Sequence, residues 1–134
     1  MTEKKKYGFW ESPDDYILGR TLYGASDEPE GFWRWVNDGI GIFKLSGPPL
    51  LHFLDRCIQA LQSRGAVPCK PGHPTYADEW VEWPGLGDTP DAIRARVIGD
   101  WLDAGGGPME PWSGVWFGFP HQVVPLADTT PAPP

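Results

Sequence analysis

A chain of 134 residues with a formal charge of −7, about a quarter of it glycine and proline, has the size of one acidic, turn-rich domain. Eight Trp, six Phe and four Tyr argue against disorder, because aromatic side chains are costly to leave in water. No run approaches the roughly twenty apolar residues of a membrane span. No apolar segment follows the basic start, and Cys57 and Cys69 are too few for a disulfide scaffold, so a cytoplasmic protein is expected.

Residues 1–6 are expected to form a flexible basic N-terminus, residues 7–126 a single globular domain, and residues 127–134 a disordered Pro-rich tail. Tyr7 to Trp10 and Tyr16 to Tyr23 have strand-like composition, separated by the turn signal Ser12-Pro13-Asp14-Asp15. Gly24 to Gly31 is a polar loop. Phe32 to Val36 and Gly39 to Leu45 suggest a hairpin around Asn37-Asp38-Gly39, with a short helix from near Pro29 as the competing reading.

The clearest element is a helix over 48–64. Leu50, Leu51, Phe53, Leu54, Cys57, Ile58 and Leu61 share one face, leaving His52, Asp55, Arg56, Gln59 and Gln62 on the polar one. Ser46 or Gly47 caps it, Pro48 suits its first turn, and Gly65 stops it. Pro68 to Pro74 is expected to be loop, and Glu79 to Trp83 a short strand. A second helix, 90–104, starts at the cap Thr89, repeats Ile93, Val97 and Trp101 on one face, and ends at Gly105-Gly106-Gly107. Ser113 to Phe119 and Gln122 to Leu126 are late strands. The expected fold is therefore α+β, a mostly antiparallel sheet of short strands with two helices packed on one side.

Chemistry is sparse. Cys69 and His73 stand four apart, with His121 as a possible third group, but a structural zinc site needs about four ligands. Lys70 and His73 make Cys69 the better of the two thiols for a nucleophile, without a local signature. Gly85-Leu86-Gly87 is flanked by Asp88 and Asp91, which repel phosphate, and Gly105 to Gly107 follows a helix instead of opening one. No cofactor is expected. A small enzyme or metal-binding protein using Cys69 and His73 is the alternative function.

Charge is the stronger guide. Met1 to Pro74 carries nine acidic and nine basic residues, whereas Thr75 to Pro134 carries nine acidic residues against Arg94 and Arg96 alone. Clustered acid disfavours nucleic acid and suits a basic protein partner, although it also serves solubility. Five tryptophans lie in that acidic part, several flanked by carboxylates, as in Glu110-Pro111-Trp112, and tryptophan is a common interface anchor. The partner-binding residues expected are Asp78, Glu79, Trp80, Glu82, Trp83, Asp100 and Asp103. Such a profile is similar to that of bacterial immunity proteins and phage-encoded inhibitors. The likeness is compositional and carries over no residue. It implies a non-enzymatic inhibitor of a protein such as a toxin or a host defence factor.

Overall fold

The computed structural model describes residues 12–72 and 80–125. The basic start, the strand expected at Tyr7 to Trp10, and the tail lie outside these residues. The fold is α+β: among the described residues, four α-helices accompany a five-stranded mixed sheet.

The chain enters through α1 (Pro13–Tyr16), which runs into a π-helical stretch, Ile17–Leu22. The segment expected as a strand is thus helical. Ser12 is an N-cap, its hydroxyl accepting from Asp15 N at 3.2 Å, with Pro13 and two acidic residues in the first turn. The same four residues that resemble a turn are a helix start. Tyr16, Ile17 and Thr21 face the core, while Leu18 and Tyr23 point outward.

After β1 (Glu30–Gly31) comes α2 (Phe32–Gly41), where the hairpin was the first expectation. Phe32, Trp35, Val36 and Gly39 are buried at offsets of three, four and seven, one helical stripe. The three residues that signalled a turn are each used in tertiary contacts instead. Asn37 bonds Met109, and Asp38 accepts from the Tyr16 hydroxyl at 2.6 Å. Gly39 lets α3 approach closely, since a Cβ there would stand 2.9 Å from Leu50 Cδ1.

Helix α3 (Gly47–Gln62) is the expected central helix, with Leu50, Phe53, Leu54, Cys57, Ile58 and Leu61 buried. Gly65 follows at φ +94°. Its polar face is less wet than expected. Arg94 of α4 (Pro90–Asp103) bonds Asp55, Gln62 and Asp91 at 2.6–2.8 Å, holding α4 against α3. Thr89 caps α4 by accepting from Ala92 N at 3.1 Å.

The sheet order is β1-β4-β2-β3-β5, with β2 (Val67–Pro71), β3 (Trp80–Glu82), β4 (Trp116–Gly118) and β5 (Val123–Val124). Its pairs are antiparallel except β3–β5, which is parallel, so the sheet is mixed. Part of the expected 68–74 loop is the central strand β2. Proline normally interrupts a ladder, but the carbonyl of Pro68 still accepts from Trp83 N at 3.0 Å. The main core joins Tyr16, Phe32, Trp35, Leu54, Ile58 and Phe117. No helix among the described residues is long and apolar enough to cross a membrane.

Candidate ligand-binding and partner-binding sites

Where α4 ends, a cavity of about 560 Å³ opens beside the segment Gly105 to Val115. Buried Phe32, Val97, Trp101 and Val115 form its apolar interior, with Trp83 and Leu86 half-buried at its side. Asp100 and Glu110 are the charged residues of its lining, both exposed. Asp100 also accepts from Arg96 at 2.9 Å, an exposed pair one helical turn apart. The carboxy-terminal end of α4 has no basic residue in its last turn, and its Trp101 and Leu102 carbonyls are capped by the N–H groups of Gly106 and Gly105. Lys70 Nζ stands 5.9 Å from the Trp83 ring centroid but does not line the cavity.

The segment closing the cavity is fixed at three places. Gly106 N reaches back to the Trp101 carbonyl at 2.9 Å, and Trp101 Nε1 donates to Gly107 O at 2.8 Å. Asn37 grips the backbone of Met109 at both its carbonyl and its N–H. Glu110 to Ser113 then makes a turn closed by Ser113 N to Glu110 O at 3.2 Å. Pro111 occupies its second position and Trp112 its third, at φ +71°. That is type II geometry, where the third position ordinarily belongs to glycine. Trp112 is 60% exposed in spite of its size.

Trp112 is the outer member of a tryptophan cluster. Its ring stacks on buried Trp116 at 5.5 Å and 18°, and it stands 5.7 Å from Trp33. Trp80 completes the group, 4.7 Å from Trp116. Arg34 caps the Trp33 ring, its guanidinium carbon 5.0 Å from the ring centroid. Cys69 lies beneath, fully buried with Trp33 and Trp116. Desolvation pushes its thiol up to about 12, and that of Cys57 upward as well. Both thiols are free and unactivated. Cys69, expected to be the better nucleophile of the two, is thus buried and protonated at neutral pH, as Cys57 is. His73 lies outside the described residues, and His121 is exposed and stacked on Phe119. Among the described residues no three His, Cys, Asp or Glu side chains are grouped to hold a metal.

The residues expected to bind a partner separate into different places. Trp83 and Asp100 meet at the cavity, whereas Trp80 belongs to the tryptophan cluster. Glu82 lies half-buried in β3, opposite Cys69, and Asp103 is exposed at the end of α4 outside the cavity lining. Asp78 and Glu79 lie outside the described residues. Sequence reasoning passed over Phe32, Trp101, Glu110 and Trp112 as site residues. For the last two the signal was present in Glu110-Pro111-Trp112, since proline at the second turn position leaves the next side chain at a corner.

No protein-family model, curated protein or solved structure matches the chain, leaving its own geometry as the guide to its chemistry.

Proposed function

We propose that this is a non-enzymatic, cytoplasmic binding protein that neutralises a basic protein partner, as an immunity protein or a phage-encoded inhibitor does. One observation supports this most: Trp112 is held largely in water, in a left-handed conformation unfavourable for a bulky side chain, beside Glu110. Such strain is maintained by its surroundings, here the stack on Trp116. A rigid exposed indole with a carboxylate alongside suits a surface presenting lysine or arginine. The acidic carboxy-terminal part favours a protein over a nucleic acid, because the phosphate backbone needs clustered cations. Two free buried thiols suit a reducing compartment.

The test begins with affinity capture from the native cell, identification of the captured protein, and binding kinetics with that protein purified. Trp112→Ala is expected to raise the off-rate, and Glu110→Lys with Asp103→Lys to slow association, increasingly so at low salt. Association independent of salt and of both charge reversals would sink the reading.

A further inference from the structure

We propose that the cavity at the end of α4 is a binding site for a small apolar organic cation, an ammonium or guanidinium group carried on a flat hydrocarbon body. The inference goes beyond the protein-binding reading and does not depend on Trp112, which does not line the cavity.

Size is the first argument. About 560 Å³ falls within the range of small-molecule pockets and is several times what one lysine side chain fills. The second is the lining. Phe32, Trp83 and Trp101 bring three aromatic rings to one space, and Phe32 and Trp101 meet edge to face at 6.2 Å. The only N–H of the Trp101 ring is already committed to Gly107 O, so a ligand meets this ring as an apolar surface. Aromatic rings pack favourably against a flat hydrocarbon body.

The third argument is the charge. Asp100 and Glu110 stand at the mouth, no lysine or arginine among the described residues lines the cavity, and Arg96, which pairs with Asp100 at 2.9 Å, lies outside the lining. A neutral hydrocarbon would satisfy the interior and gain nothing from the two carboxylates. An anion would be repelled. A hydrocarbon body with one positive group satisfies both, the body between the rings and the charge at the two carboxylates.

The experiment titrates the protein with phenethylammonium, neutral 2-phenylethanol, anionic 3-phenylpropionate and N-acetyl-lysine methylamide, following the tryptophan indole N–H signals by NMR. Phenethylammonium is expected to shift the Trp83 and Trp101 signals and to bind about tenfold more tightly than 2-phenylethanol, with 3-phenylpropionate weaker still. Asp100→Asn with Glu110→Gln should erase the preference for the cation and leave 2-phenylethanol binding unchanged. Glu28→Gln, an exposed carboxylate outside the lining, should alter neither. Equal affinity for cation and alcohol would overturn the proposal, as would shifts confined to Trp33, Trp80 and Trp116. Lysine amide binding as tightly as phenethylammonium would also overturn it, by showing that the hydrocarbon body contributes nothing. These readouts involve no protein partner, so this proposal and the protein-binding reading fail separately.

Discussion

Asn37 and Met109, 72 residues apart in sequence, are joined by a reciprocal pair of hydrogen bonds: Asn37 Nδ2 donates to Met109 O at 2.9 Å, and Met109 N donates to Asn37 Oδ1 at 2.8 Å. An amide side chain here takes the place of a neighbouring strand and satisfies both backbone polar groups of one residue. It ties α2 to the segment that closes the cavity.

Asn37→Ala should therefore destabilise the fold by about 1–3 kcal/mol, because two part-buried backbone groups lose their partners. Asn37→Asp should be nearly as damaging, since it removes the donor to Met109 O. Chemical denaturation gives the loss, and hydrogen exchange should show it concentrated in residues 107–112. Unchanged exchange there would show that the clamp is not what fixes the segment.

Trp112 separates strain from stacking. Alanine at 112 keeps the strained left-handed backbone and loses the stack on Trp116, whereas glycine loses the stack and relieves the strain. Trp112→Gly should then be more stable than Trp112→Ala by about 1 kcal/mol, the reverse of the order in a helix. Thermal unfolding of the two variants decides it.

Two glycines inside helices should respond in opposite ways to alanine. Gly99 in α4 has open space where a Cβ would go, so Gly99→Ala should stabilise by about 0.5–1 kcal/mol. Gly39 in α2 would place a Cβ 2.9 Å from Leu50 Cδ1 and 3.1 Å from the Phe53 ring. There the packing conflict outweighs helix propensity, and Gly39→Ala should destabilise by about 1–3 kcal/mol. Paired denaturation curves test both signs.

Glu30 gives stability a pH dependence. Burial raises its pKa from 4.5 to about 7, against the opposing pull of Arg20 and Arg34 and with smaller raising contributions from Glu28 and Asp38. Arg20 Nη1 stands 3.7 Å from Oε2, and Oε1 has no hydrogen-bond partner among the described residues. The folded state holds this proton more tightly than the unfolded state. Its contribution to stability is therefore fully present below pH 4.5 and declines as pH rises to about 7. Glu30→Gln should flatten that part of the stability–pH curve. A decline that persists in the variant would assign it to other groups.

Long periodic segments were legible in the sequence, and local turn signals were not. Helices α3 and α4 follow from apolar spacing sustained over several turns, with proline in each first turn and, for α4, the Thr89 cap. Phe32 to Gly41 has too few turns for its period to outweigh Asn37-Asp38-Gly39, because those residue types serve a turn, a clamp and a close helix approach equally well. Ser12 to Asp15 fails likewise, since a helix cap and a β-turn draw on the same residues. Trp83 and Asp100 were selected for being an aromatic and an acid, and they do meet at the cavity. Their companions Phe32 and Val115 reach the same space through the neighbouring pairing of Gly31 with Trp116, which no local pattern encodes.

The Asn37–Met109 clamp also bears on the order in which the molecule is assembled. α2 and α3 are neighbours in sequence and can pack as soon as both have left the ribosome, whereas the cavity needs its carboxy-terminal wall brought back across 72 residues. The entropy of closing a loop that long must be met before the contacts it permits are gained. Binding competence should thus arrive after most of the helical structure. In a refolding experiment, recovery of far-ultraviolet helicity should precede recovery of probe binding.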